Sequence, residues 1–288
     1  MYKSLEEIRE AIEESGKPFW QVVQEEDCKE SGITIEESFA KMRAMYQAMK
    51  DSNEEYEDGL KSASGLVGTE GAKIRKARDA GKLTCGDFMA AVMEKALRIS
   101  ESNACMKRIV AAPTAGSCGV VPAVLLSLQE KNDYSDEEMT KALYVAAGIG
   151  GVIAYRASLS GAEGGCQAEI GSASSMAAGS MAYLLGGTAE QIGHAAAIAM
   201  KGLLGLVCDP VAGLVEVPCV KRNVIGSVNA VTSADMALAG IESQIPPDQV
   251  FDAMKCVGRC LNPDLRETGK GGLAATPAGI EIAKSMKM

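Results

Sequence analysis

The fold is constrained most by its helix starts, which are written along the chain in one recurring form. Ser4 with Glu7, Thr34 with Glu37, Thr84 with Asp87, Ser135 with Glu138 and Thr188 with Gln191 each place a hydroxyl three residues ahead of an acid or amide. In such a capping box the hydroxyl accepts from the third helical amide and the acid or amide returns the bond, so each pair predicts a helix beginning. After Thr84, the residues Phe88, Val92, Ala96 and Ile99 recur at helical spacing and predict one buried stripe. Pro246-Pro247 opens a helix carrying Val250, Met254 and Val257, and Thr276-Pro277 opens a last short one through Ile280 and Ile282. No alternation of apolar and polar residues persists long enough to predict a strand, so the chain reads as all-α.

Hydrophobic residues make up 47% of the 288, yet aromatics only 4%, so small side chains and the 15 Met must supply much of the packing. The Ala/Gly-rich segments Ala142–Ala157 and Ser172–Leu185 have faces small enough for close helix packing and are expected at the centre. With no internal repeat and no low-complexity linker, residues 1–288 read as a single helical domain. The acidic run Asp51–Asp58 reads as a solvated helix end. A net charge of −9 argues against a nucleic-acid partner. The longest apolar run, Ala142–Ala154, is 13 residues, short of the ~20 that span a bilayer. Met1–Glu14 is a charged amphipathic start rather than a signal peptide, and the cytoplasm is the expected location.

Between the helices lie glycine-rich loops, and three of the nine cysteines sit in two of them. Cys166 follows Gly161-Ala162-Glu163-Gly164-Gly165. Cys208 and Cys219 bracket ten residues, Asp209-Pro210-Val211-Ala212-Gly213-Leu214-Val215-Glu216-Val217-Pro218. Glycine and proline fix backbone geometry and let it approach a bulky group. Three thiolates so held can bind three irons of a four-iron, four-sulfur cluster and leave the fourth open for Lewis-acid chemistry. The competing readings are three small buried thiols and a zinc site, which usually wants four ligands. Cys256 and Cys260, one helical turn apart, can share a metal but read better as two core positions on one helix face.

His194 is the only histidine, which excludes His-rich metal sites. On an Ala-rich helix it reads as structural, and no Gly-x-Ser-x-Gly elbow accompanies it. Two loops precede helices and carry hydroxyls: Ser62, Ser64 and Gly65 ahead of Lys73, and Thr114, Gly116 and Ser117 ahead of Val121–Leu128. Amides at a helix start favour an anion, and neither loop is a nucleotide P-loop. A small carboxylate suits them; a plain tight turn is the alternative. Lys73 reads as a base, a Schiff-base lysine or a surface charge.

Taken together these residues resemble the α subunit of iron–sulfur-dependent L-serine dehydratases. The likeness rests on Ala112–Ser117, Ser160–Gln167, Cys208–Cys219 and Gly271–Ala274, and spans about Ser62 to Thr276. It implies conversion of L-serine to pyruvate and ammonia with a 4Fe-4S cluster on Cys166, Cys208 and Cys219, and without pyridoxal phosphate. Elimination of the hydroxyl would give an enamine that hydrolyses by way of an imine. The resemblance covers only an α portion, so a separate β subunit is expected, together with the catalytic base; Lys73 is the candidate base on this chain. Ser62, Ser64, Gly65, Thr114, Gly116 and Ser117 are expected to hold the substrate carboxylate. Single-chain members can carry a C-terminal cysteine that caps the fourth iron at rest. This sequence ends Lys284-Ser285-Met286-Lys287-Met288, so that cap is expected to be missing. The rival readings are an iron–sulfur L-cysteine desulfidase, a pyridoxal-phosphate dehydratase using Lys73, and a non-catalytic helical scaffold subunit.

Overall fold

The computed structural model describes residues 1–286; Lys287 and Met288, on which the missing C-terminal cap was expected, lie outside the described residues. Thirteen α-helices follow in order: α1 Leu5–Ser15, α2 Phe19–Ser31, α3 Ile35–Glu54, α4 Glu70–Asp79, α5 Gly86–Ala104, α6 Val120–Asn132, α7 Asp136–Arg156, α8 Gly161–Gly164, α9 Ser172–Leu184, α10 Ala189–Leu203, α11 Cys219–Leu238, α12 Pro247–Cys260 and α13 Pro277–Met286. Among the described residues there is no strand, only one isolated bridge between Cys208 and Arg266. The all-α expectation holds, and one apolar core runs from Leu5 to Met254.

Full capping boxes start α3, α7 and α10 at Thr34, Ser135 and Thr188. Ser4 caps α1 as expected, but Glu7 returns its bond to the Lys3 amide, one residue earlier. Thr84 is a correction. Helix α5 begins at Gly86, whose φ of +73° turns the chain in after Thr84, and no side chain caps the start. The stripe beyond it stands as read, with Val92, Ala96 and Ile99 fully buried and Phe88 packed at the margin.

Helix α9 is the axis. It is apolar or small all round, and Ser172–Ala182 are buried, as a helix surrounded by others requires. Helices α6, α7, α10 and α11 pack around it. Three serines on it donate to carbonyls of the surrounding helices: Ser174 to Gly226 (2.8 Å), Ser175 to Ala196 (2.9 Å) and Ser180 to Ala142 (3.0 Å). Such bonds satisfy polar groups inside the core and lock each neighbour in register. Gly179 has no room for a Cβ against Ile149. Helix α12 departs from expectation: Val250 and Met254 are buried, but Cys256 and Cys260 are exposed, because Gly258 is the residue that packs inward, against Gly164.

Helix α4 has no side-chain cap of its own, since Thr69 is left-handed and its hydroxyl caps nothing. The buried Glu101 of α5 takes over: its carboxylate accepts from the Glu70 amide (2.7 Å), the Gly71 amide (3.2 Å) and the Tyr56 hydroxyl (2.7 Å). Glu101→Ala is expected to cost about 1.5–3 kcal/mol, the range for hydrogen bonds to a charged group. A chemical-denaturation midpoint unchanged from wild type would refute this capping role.

Candidate active site

Three separate stretches converge beneath one end of α9. The first is the Cys166 loop. Gly165 has φ +74°, and a Cβ there would lie 2.9 Å from the Leu206 carbonyl oxygen, so only glycine lets the two loops pass. Cys166 then leads into a π-helical turn, Gln167–Gly171, that runs on into α9. Gln167 is fully buried and holds three partners: its amide donates to Leu206 O (3.0 Å), its Oε1 accepts from Gly205 N (2.9 Å) and its Nε2 donates to Met254 O (3.0 Å). One side chain thus joins the Cys166 loop to the approach of the Cys208 loop and to α12.

The second stretch, Cys208–Cys219, is pinned at both ends. Cys208 donates its amide to Leu265 O and accepts from the Glu267 amide, both at 2.8 Å, which is the lone bridge of the structure. Cys219 is the first residue of α11, and its carbonyl accepts from Asn223 Nδ2 at 2.9 Å. Asn223 also donates to Gly116 O (2.8 Å) and accepts from Gly119 N (2.8 Å), tying the Thr114–Ser117 loop to this helix start. The third stretch, residues 261–273, supplies the partners of Cys208 and, through the Leu273 amide, a 2.8 Å bond to Asp209 Oδ2.

Cys166, Cys208 and Cys219 are all buried and free. The neighbouring Cys208 side chain holds the Cys166 thiol below its ordinary pKa, and Cys166 in turn drives that of Cys208 up. Burial pushes the Cys219 thiol up to about 12, and the charges of Cys166 and Glu169 add to it. The three sulfurs therefore share one electrostatic neighbourhood. Arg222, one helical turn beyond Cys219, contributes the only cation among these shifts: its guanidinium donates to Val207 O (2.7 Å) and Asp209 Oδ1 (2.8 Å), and its charge helps lower the Cys166 thiol. Glu169 lies 4.0 Å from Cys208 Sγ, and burial raises its carboxyl above the usual range. A Cβ on Gly161 would stand 3.1 Å from Cys208 Sγ, 2.8 Å from Glu169 and 3.2 Å from Glu267, so this glycine leaves the hollow between them open.

The hydroxyl loops lie against this centre, but their donors are engaged. Ser62 Oγ donates to Glu216 Oε2 at 2.9 Å and Ser64 donates to the same oxygen, so that loop is tied to the Cys208–Cys219 segment. Gly65 turns it with φ +76°. Thr114 Oγ1 donates to Glu169 Oε1 at 2.7 Å and pairs with Ser117 Oγ at 3.1 Å; Gly116 faces the same carboxylate. Lys73 is exposed on α4, and among the described residues no hydrogen bond or ion pair joins its ammonium to the cysteine loops. His194 accepts from the Ser243 amide at 3.3 Å and lines a cavity with Arg9, Arg156 and Asp248, none of them from the cysteine stretches. Glu169, Arg222 and Asn223 are site residues the sequence reading did not name, and Asp209 and Glu216 entered it only as members of the Cys208–Cys219 segment. Glu169 and Arg222 each stand three positions beyond a singled-out cysteine, and that spacing was the available signal.

The family model for the serine dehydratase alpha chain matches residues 14–274. The probable L-serine dehydratase alpha chain of Bacillus subtilis is 45% identical over 286 residues, covering 99% of this chain and 95% of that one. The L-serine dehydratase alpha chain of Peptoniphilus asaccharolyticus is 43% identical over 289 residues, 99% and 98% of the two chains. L-serine dehydratase 1 of Escherichia coli is 47% identical over 181 residues, 62% of this chain and 40% of its own. With all four motif segments inside the matched region, this chain belongs to the serine dehydratase alpha chain family.

Proposed function

We propose that this chain is the catalytic α subunit of an L-serine dehydratase, a cytoplasmic lyase that forms pyruvate and ammonia together with a separate β chain. What supports this is that Cys166, Cys208 and Cys219 are all buried and close enough to shift one another's thiols, with Gly161 leaving space beside Cys208. The relatives' names favour this reading over a cysteine desulfidase or a scaffold. No helix among the described residues is long and apolar enough to cross a membrane.

The donor set suits a 4Fe-4S cluster held by these three cysteines. Among the described residues no three His, Cys, Asp or Glu side chains are grouped for a single metal ion; a cluster asks each thiolate for a different iron. When bound, such a cluster supplies an iron with an open position that polarises the serine hydroxyl. The chain's own residues do the rest. The Ser62–Gly65 and Thr114–Ser117 loops hold the substrate at the rim, with Gly116 and Ser117 toward its carboxylate. Glu169, oriented by Thr114 and backed by Glu267, accepts from the α-ammonium. Gln167 and Leu261 close the floor against water. Lys73, exposed on α4, suits a surface charge, and the base that takes the α-proton comes from the β chain.

The test is anaerobic reconstitution of the α chain with its β chain, iron and inorganic sulfide analysis, and a pyruvate assay. Iron and sulfide near four each per α chain are expected, with turnover of L-serine in preference to L-cysteine. Glycerate, which lacks the ammonium, should not compete. A colourless protein without iron, or activity residing wholly in the partner, would overturn the proposal.

A further inference from the structure

Arg222 is a half-buried cation without an assigned task. Its side chain is 14% exposed and that of its partner Asp209 is 4% exposed. Two of its contacts, Val207 O at 2.7 Å and Asp209 Oδ1 at 2.8 Å, flank Cys208 in sequence. Its charge also lowers the Cys166 thiol, so it lies beside that sulfur as well. Its backbone is one turn along α11 from Cys219. The residue is thus joined to all three cysteine stretches. Asp209 in turn accepts from the Leu273 amide at 2.8 Å, extending the link to the third stretch.

Electrostatics makes the placement consequential. Three thiolates with Asp209 bring four negative charges into a buried site, where Arg222 is the cation in contact. Interactions between charges strengthen as water is excluded, and a buried anion without compensation is costly. The planar guanidinium offers five donors in a fixed fork, so one group bonds a carbonyl and a carboxylate at once while keeping its charge beside a sulfur; a lysine ammonium is a point charge on a flexible stem.

We propose that Arg222 is a positioning residue for the iron–sulfur cluster: it holds the Cys166, Cys208 and Cys219 loops in ligand-ready arrangement and offsets thiolate charge once the cluster is bound. This rests on the cluster reading of the preceding section. Groups that orient metal ligands without touching the metal typically affect metal retention by roughly 10–100-fold, which sets the expected scale.

The experiment compares wild type, Arg222→Lys and the double variant Asp209→Asn/Arg222→Gln, each with its β chain under anaerobic conditions. The double variant removes both charges together, so no buried ion is left unpaired. The readouts are iron and sulfide content and the rate of iron release to a ferrous chelator, with the thermal unfolding of the cluster-free protein as a control on folding. The double variant should melt near wild type yet release iron about tenfold faster or more, and Arg222→Lys should fall between the two. Release by both variants at the wild-type rate would overturn the role of Arg222. If the double variant does not fold, Arg222→Lys decides alone, because it keeps the charge and loses only the fork. Absence of iron and sulfide from the wild type itself would instead defeat the cluster reading, so the two failures are told apart.

Discussion

Cys208→Ser is expected to leave a folded chain that retains little iron and forms pyruvate at about a thousandth of the wild-type rate or less. Lewis-acid polarisation of a leaving oxygen is worth several kcal/mol, and each 1.36 kcal/mol is a factor of ten in rate. Cys208 is the most informative of the three cysteines because its backbone is fastened on both sides, to Leu265 and Glu267. The loop therefore has no freedom to slide another donor into its place. Serine is nearly isosteric, so the exchange opens little cavity. Cys118 supplies the control. It is as deeply buried, with its thiol pushed up to about 12 by desolvation, but it packs between α5 and α6 outside the cysteine loops. Cys118→Ser should keep full iron, sulfide and turnover. A Cys208→Ser protein carrying wild-type iron and sulfide would reduce the three cysteines to ordinary buried thiols.

The helices were legible because their signals are local. Thr34, Ser135 and Thr188 each cap the helix they announce, since hydroxyl and carboxylate meet within one turn whatever the rest of the chain does. Thr84 failed for an equally local reason, the left-handed Gly86, which the pattern does not report. Ser172–Leu185 was readable as a central helix from its small residues, but the π turn that aims Cys166 before it was not. Of the site, the cysteines and glycine loops could be found by type and spacing. Their partners could not, because pairing is tertiary. Ser62 and Ser64 were read as donors toward a ligand, and they are donors, yet the acceptor they find here is Glu216 from 152 residues away along the chain. Cys256 and Cys260 show the same limit: their spacing fixes a shared helix face, but only the packing of Gly258 on Gly164 decides that this face is the outer one.

Asp209→Ala should be among the most destabilising substitutions in the site, at about 3–5 kcal/mol, the range for removing one partner of a buried ion pair. The wild-type Asp209 side chain is buried and uses both carboxylate oxygens, Oδ1 on Arg222 and Oδ2 on the Leu273 amide, each at 2.8 Å. Gly272, left-handed at φ +58°, lies so close that a Cβ there would overlap the Asp209 side chain, so no water can readily replace a deleted carboxylate. Truncation leaves a buried guanidinium without its counter-charge and a backbone amide without its acceptor. Asp209→Asn keeps an acceptor for the amide and should cost less, about 1.5–3 kcal/mol, the loss of a charged hydrogen bond. Asp209→Ala/Arg222→Met removes the stranded cation as well, and should recover much of the loss, because replacing both members of a buried pair is far milder than breaking it. Urea denaturation of wild type, Asp209→Ala, Arg222→Met and Asp209→Ala/Arg222→Met closes a double-mutant cycle on the pair. If Asp209→Ala unfolds within 1 kcal/mol of wild type, or if the double variant is no better than the single, the ion pair does not bind the cysteine loops to the 261–273 segment in the way its geometry implies.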